Sequence, residues 1–325
     1  MNKKKLIEVN NVSKYYKIRS NKIFSKKLVL KAIDDVNLNI YKGETLGIVG
    51  ESGCGKSTLG KCITKIIDVD KGKISYDGEI ISNKKNKYLK DFRNNIQAIF
   101  QDPYSSLNPM LNIREILMEP LVKDQKLSSR EADEIIEEMI SKVGMNKESL
   151  SKYPHEFSGG QRQRVCIARA VSTDPEFILC DEPISALDVS IQAQIINMLE
   201  NLQKDYGLTY LFIAHDLSMV RYLSDRIGVM YLGNLVEIGE SHDIYNEPLH
   251  PYSQGLISSI LLPDPSLRVK GPLPTIEGDL PDALDINIGC KFASRCKFKM
   301  KRCEERSPEL IEVEDGHKVA CYLYN

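Results

Sequence analysis

Gly50-Glu51-Ser52-Gly53-Cys54-Gly55-Lys56-Ser57 fits the pattern G-x-x-x-x-G-K-S/T and continues into Thr58. The preceding Thr45-Leu46-Gly47-Ile48-Val49 reads as a short buried strand, and the stretch from Thr58 to Ile67 reads as a helix. Strand, glycine loop and helix in that order form the context in which such a loop cradles phosphate, whereas a chance glycine-rich turn would not require it. Gly50, Gly53 and Gly55 let the backbone turn successive N–H groups inward, and the positive end of the following helix adds to the anion site. Lys56 is expected to neutralise the β- and γ-phosphates of a nucleotide, and the Ser57 hydroxyl to hold Mg²⁺.

Upstream, residues 6 to 12 alternate as a strand does, and Leu28 to Ile33 and Val36 to Ile40 read as two more, which implies an antiparallel sheet beside the loop. Tyr16 is the candidate for stacking on adenine; a plain strand or core aromatic is the other reading of the same residue. Downstream, Ile96 to Phe100 forms a strand ending at Gln101-Asp102-Pro103. Ser129 to Val143 is helical, with Ile135, Ile136, Met139, Ile140 and Val143 on one face and a capping box from Ser128 to Glu131. Ser158-Gly159-Gly160-Gln161 then opens a helix running to Ala170; taken alone, it reads as a glycine-rich cap.

Phe177-Ile178-Leu179-Cys180 is apolar without alternation, as befits a central parallel strand buried on both faces. It delivers Asp181 and Glu182 to the strand's C-terminal end, where α/β sheets place ligand chemistry. Asp181 suits Mg²⁺, commonly through water, and Glu182 suits activation of an attacking water. Thr209 to Ala214 is a further buried strand that ends at His215-Asp216 and is expected to bring His215 to the same edge. Ile227 to Tyr231 and Leu235 to Ile238 flank Gly233-Asn234 as a hairpin.

A chain of 325 residues has room for a large domain plus an appendage. A formal net charge of -1 gives no general electrostatic case for nucleic acid or an anionic membrane, and Lys3-Lys4-Lys5 and Lys26-Lys27 read as solvated faces. No apolar run approaches the roughly 18 residues a membrane helix requires, and the run from Leu256 to Leu262 is broken by Ser258 and Ser259. Only Leu6 and Ile7 separate Lys5 from Glu8, so no signal-peptide core follows the N-terminal lysines and the chain is expected in the cytoplasm. Disulfides are then not the default for its eight cysteines. Cys54, Cys62, Cys166 and Cys180 are scattered singly.

Taken in order, Gly50 to Thr58, Gln101, Ser158 to Gln161, Asp181-Glu182, Ser185-Ala186-Leu187-Asp188 and His215 resemble an ATP-binding cassette protein over about residues 1 to 245, with Phe157 where leucine is commoner. The resemblance implies an α/β P-loop ABC ATPase core with an antiparallel β subdomain and a helical subdomain at about 102 to 165. It further implies a head-to-tail pair sandwiching two nucleotides. Lys56, Ser57, Gln101, Asp181, Glu182 and His215 would hold Mg-ATP. Ser158, Gly159, Gly160 and Gln161 would act across the interface, and Asp188 would couple the two sites.

Beyond the cassette, His250 to Leu256, Gly278-Asp279-Leu280-Pro281 and Gly289-Cys290 to Cys321 resemble the extension of oligopeptide and dipeptide importer ATPases, placing a small cysteine-containing region at 246 to 325. Gln101 to Pro109 with Tyr231-Leu232-Gly233 looks like the F-type member of that pair. The implied partners are a second, D-type ATPase subunit, two membrane permeases and an extracellular or periplasmic peptide-binding protein, with the chain peripheral on the cytoplasmic face of the membrane. Another cargo such as nickel chelates, a subunit that binds ATP without turnover, and a soluble cassette acting on nucleic acid are the rivals. The last predicts tandem cassettes or basic stripes, and the sequence has neither.

Cys290, Cys296, Cys303 and Cys321 are separated by five, six and seventeen residues, which is not a zinc-ribbon spacing and taken alone favours unbonded thiols. Four clustered thiols in so short a segment nonetheless suit a Cys₄ site for Zn²⁺ or an iron–sulfur cluster, and the resemblance points to [4Fe–4S]. Because the phosphate loop lies elsewhere in the chain, losing the metal is expected to loosen this segment and subunit assembly more than nucleotide affinity. The stretch from Lys17 to Lys27 carries no assignable role.

Overall fold

The structure is a computed structural model that describes residues 3–18, 28–85, 88–215, 217–259, 276, 278, 281 and 288–325. Most of the Lys17 to Lys27 stretch, Asp216, Asp279, Leu280 and the end of the Leu256 to Leu262 run lie outside the described residues. In chain order the first elements are β1 (Lys5–Ile18), β2 (Leu28–Tyr41), β3 (Thr45–Val49), α1 (Lys56–Ile63), β4 (Lys71–Tyr76), β5 (Glu79–Ile80), α2 (Lys90–Asn95), β6 (Ile96–Ile99) and α3 (Pro103–Ser106). Next come α4 (Ile113–Lys123), α5 (Ser129–Lys142), α6 (Gly159–Val171), β7 (Phe177–Asp181), α7 (Val189–Tyr206), β8 (Thr209–Ile213) and α8 (Leu217–Leu223). The chain closes with β9 (Arg226–Tyr231), β10 (Asn234–Glu240), α9 (Ser241–Asn246), α10 (Pro251–Ser258), α11 (Arg302–Glu305), β11 (Ile311–Glu314) and β12 (His317–Val319). They divide between two compact units.

The unit that carries the phosphate loop takes Lys5–Ile40, Thr45–Ser82 and the described part of Ile213–Asn325. Its first sheet runs β2-β1-β4-β5, with β4 antiparallel to both β1 and β5. β2 is one strand where two are expected from the sequence, because Asp35 at φ 58° kinks the backbone without ending it and donates its N–H to Ser13 Oγ at 3.1 Å. A second run of strands is ordered β11-β12-β10-β9-β3. β3 lies parallel to β9 with Ile48 opposite Gly228, and all five of its residues are buried. The hairpin of β9 and β10 pairs Tyr231 with Asn234, so its turn is Leu232-Gly233, at φ 42° and 83°, rather than the expected Gly233-Asn234. Two consecutive left-handed residues match the strand twist, which is why so tight a turn is favoured. β12 pairs with β10, Glu237 opposite Val319, so the C-terminal residues complete this unit's own sheet.

The other unit takes Tyr41–Glu44 and Asn83–Phe212, with the described residues up to Lys4. Its strands run β8-β7-β6, with β6 parallel to β7 and Ile99 opposite Cys180. Every residue of β7 and β8 is buried, as their apolar runs Phe177 to Cys180 and Tyr210 to Ile213 require. α4, α5 and α6 pack on one another, and Arg114 Nε donates to Asp133 at 2.7 Å between the first two. α5 begins at the expected Ser128–Glu131 capping box. α4 begins at a second one, Asn112 to Glu115, and accommodates Pro120 past its first turn. No helix among the described residues is long and apolar enough to cross a membrane.

Candidate nucleotide site and cysteine pocket

The phosphate loop leaves β3 at Gly50 and enters α1 at Lys56. Gly50 and Gly55 sit at φ 147° and 105°, and a Cβ on either would stand 2.1 Å from the Met230 carbonyl oxygen or 2.2 Å from that of Ala32. Only glycine permits that approach, so the loop's path is set by backbone packing. Lys56 is buried, and its Nζ donates to the carbonyls of Gly50 at 2.7 Å and Glu51 at 3.1 Å, with Cys54 Sγ at 3.9 Å. The ammonium thus lies folded onto the loop that would receive phosphate, and the first-turn N–H groups of α1 have no intrahelical acceptor. Ser52 and Gly53 are exposed at the tip, and Ser57 and Thr58 follow in the first turn, half-buried. The chemistry of this cradle fits the phosphates and metal of Mg-ATP. Tyr16, in the same unit, is 41% exposed on β1, which removes the core-aromatic reading. His215 is exposed just beyond β8, where Ala214 N–H donates to Ile48 carbonyl at 3.4 Å.

In the other unit, Asp181 is the buried last residue of β7, and half-buried Glu182 follows in the left-handed region at φ 51°. A non-glycine residue held there is strained, and such strain concentrates at functional positions. The turn after it is fixed from within: Ser185 Oγ donates to the Glu182 carbonyl at 3.1 Å, and Gln192 Nε2 donates to the carbonyls of Ile184 and Leu187, each at 3.0 Å. Asp188 is the exposed N-cap residue of α7. Exposed Gln101 follows β6 and Asp181 ends β7; because these strands are parallel, both leave the sheet at the same end. Ser158 caps α6, accepting from Gln161 N–H at 3.3 Å while its own N–H donates to Gln161 Oε1 at 3.0 Å. Gly159 is exposed beside it, and Gly160 is half-buried with room for no side chain, since a Cβ would lie 2.7 Å from Ile191.

Cys290, Cys296, Cys303 and Cys321 line one small pocket with His250, Phe292 and Met300. All four are free thiols. Cys290 N–H donates to the Cys303 carbonyl at 2.7 Å, which fastens the two ends of the loop between them. Burial pushes the Cys290 thiol up to about 11 and raises Cys296 and Cys321, so each favours its protonated form. Among the described residues no group of three or more His, Cys, Asp or Glu side chains is disposed to hold a metal ion. The thiols converge on one pocket without forming a ready coordination shell.

The cysteine segment touches the phosphate loop despite its distance in sequence. Glu51 N–H donates to Tyr252 Oη at 2.9 Å, and Arg295 grips the Glu51 carboxylate at 2.9 to 3.2 Å. Neither contact carries a sequence signal, since 201 and 244 residues separate the partners. The segment's other anchor is equally distant: His317 Nε2 donates at 2.8 Å to the fully buried carboxylate of Glu237, which also accepts the N–H groups of Leu249 and His250.

Residues 33–185 match the ABC transporter family, and residues 236–303 match the oligopeptide/dipeptide transporter C-terminal region. Oligopeptide transport ATP-binding protein AppF of Bacillus subtilis is 47% identical over 326 residues, spanning 100% of this chain and 99% of its own. Oligopeptide transport ATP-binding protein OppF of Haemophilus influenzae is 46% identical, spanning 98% of this chain and 97% of its own. A solved dimeric ATP-binding cassette in a post-hydrolysis state, bound to ADP and phosphate, superposes with a TM-score of 0.65 at 29% identity, covering 73% of this chain and 99% of that one. Motif order, fold and full-length similarity agree: the chain belongs to the ABC transporter ATPases, among the ATP-binding subunits that carry the oligopeptide/dipeptide transporter C-terminal region.

Proposed function

We propose that this chain is the ATP-hydrolysing motor of an importer of oligopeptides or dipeptides, working through separate membrane permeases from the cytoplasmic face. The observation that carries the reading is the joint presence, in one chain, of the phosphate loop and the oligopeptide/dipeptide C-terminal region. Its ATPase partner is a second, D-type subunit, and a peptide-binding protein delivers cargo. The cassette occupies about residues 1 to 245, with its helical part at about 102 to 165, and the extension occupies 246 to 325.

In this reading Lys56 and the loop N–H groups neutralise phosphate oxygens, Tyr16 stacks on adenine, and Ser57, Gln101 and Asp181 hold Mg²⁺. Glu182 accepts a proton from the attacking water as the γ-phosphorus–oxygen bond breaks and ADP departs with the bonding electron pair. His215 steadies the γ-phosphate, while Ser158 to Gln161 serve the nucleotide of the partner subunit and Asp188 links the two sites. Positioning and charge neutralisation supply most of such catalysis, because phosphoryl transfer asks little covalent chemistry of the protein. Cys290, Cys296, Cys303 and Cys321 would be the ligands of a Cys₄ site, [4Fe–4S] in preference to zinc; their lining of one pocket supports the donor set, and taking up the metal would require the thiols to lose protons and close on it, since among the described residues no such group is already disposed to hold one. The test is uptake of a labelled tripeptide by cells that depend on this chain. Lys56→Ala is expected to abolish it, and competition by nickel chelates but not by peptides would reassign the cargo.

A further inference from the structure

Three aromatic side chains link the cysteine segment to the phosphate loop. Tyr231 at the end of β9, Tyr252 on α10 and Phe292, between Cys290 and Cys296, are all buried, with ring centroids 4.6 to 5.5 Å apart. Packing this close fixes the direction of the polar groups at the cluster's edge. One is the Tyr252 hydroxyl, which accepts the Glu51 N–H. The other is the Arg295 guanidinium, 8% exposed, which directs Nη1 and Nη2 at Glu51 and also places Nη1 3.4 Å from Tyr231 Oη. A second cation of the segment, Lys291, donates to the Leu232 carbonyl at 2.6 Å and lies 3.4 Å from Asp34 of β2. Both cations are sequence neighbours of pocket cysteines, Lys291 of Cys290 and Arg295 of Cys296.

Glu51 is the only carboxylate within the loop sequence from Gly50 to Thr58. Left uncompensated, its charge would oppose the phosphates the loop receives; paired with Arg295, it becomes an attachment point instead. We propose that the cysteine segment braces the phosphate loop, with Tyr252 and Arg295 as positioning residues that hold Glu51 and thereby set the loop's affinity for nucleotide. The proposal rests on the reading of Gly50 to Thr58 as the ATP site and adds the coupling of that site to the C-terminal segment.

The test is Mg-ATP affinity of the full-length chain, measured by titration calorimetry. Arg295→Gln is expected to weaken binding about ten-fold, the effect of losing one charge-assisted hydrogen-bonded pair. Arg295→Lys, a point charge without the fork, is expected to fall between that and wild type. In a Glu51→Gln background the same Arg295→Gln change is expected to alter affinity less than about two-fold, because coupled partners are non-additive. Tyr252→Phe removes only the hydroxyl and is expected to weaken binding about three-fold, which keeps the test open should Arg295→Gln fold poorly. Lys299→Ala, which breaks an exposed pair with Glu304 in the same segment, is expected to bind as wild type does. Wild-type affinity in folded Arg295→Gln and Tyr252→Phe, or full additivity with Glu51→Gln, would overturn the brace. Normal binding by Lys56→Ala would instead overturn the ATP-site assignment beneath it.

Discussion

His317 shows how much one buried pair can decide. Burial alone would lower its pKa, but the hydrogen bond and charge of Glu237, with Asp243 and Glu314 nearby, raise it above its ordinary value of 6.5. His250, which contributes its N–H to the same carboxylate, is pushed by burial down to about 4 and stays neutral across the physiological range. A raised folded-state pKa means that the His317 contribution is complete below about pH 6.5 and is lost as pH rises through the folded value. The melting-temperature advantage of the native chain over His317→Gln is therefore expected to be largest near pH 6 and to shrink above neutrality; a gap that widens with pH would reverse the assignment. Gly50 makes a sharper case. Gly50→Ala places a methyl group against the Met230 carbonyl at a φ that disfavours side chains, and is expected to cost roughly 1–3 kcal/mol together with most Mg-ATP binding, read by thermal unfolding and calorimetry.

Among the elements, those with local signals were legible in the sequence. β3 and β7 are legible as short, mostly apolar runs, and α5 by its capping box and apolar stripe. Ser128→Ala is expected to lower stability by about 1 kcal/mol in a denaturant titration, the usual worth of such a cap. α4 carries no clear sequence signal because Pro120 interrupts its pattern, and β2 reads as two strands because Asp35 is polar where the strand merely kinks. The turn of β9 and β10 lies one residue earlier than its sequence suggests because Leu232, not Asn234, adopts positive φ, and leucine gives no warning of it. α6 belongs partly to each class: the Ser158 cap is visible locally, whereas the role across a subunit interface that we propose for it leaves no local signal. Ser158→Arg is expected to leave ATP binding to the isolated chain intact while preventing nucleotide-dependent pairing, followed by light scattering; equal loss of monomer binding would place Ser158 at its own chain's nucleotide.

For the whole molecule, the motif order and the grouping of four cysteines near the C-terminus are legible in the sequence, whereas the tie between the C-terminal segment and the phosphate loop is not. Contacts over 201 and 244 residues leave no periodicity or spacing to detect. The cysteine pocket makes a compositional prediction: chain purified without oxygen is expected to carry iron and sulfide at about four each, with Cys303→Ser bleaching the colour. Zinc alone would replace the cluster with a structural zinc site, and four freely alkylated thiols without metal would reject both. The central claim, that this subunit hydrolyses ATP to drive peptide import, is tested most directly by turnover and uptake in proteoliposomes whose other ATPase site is inactivated. With Glu182→Gln the account predicts unchanged Mg-ATP affinity, hydrolysis slowed by about 10²- to 10⁴-fold and no peptide accumulation. Near-native turnover in that variant, or native turnover that peptide delivery neither stimulates nor couples to uptake, would contradict it.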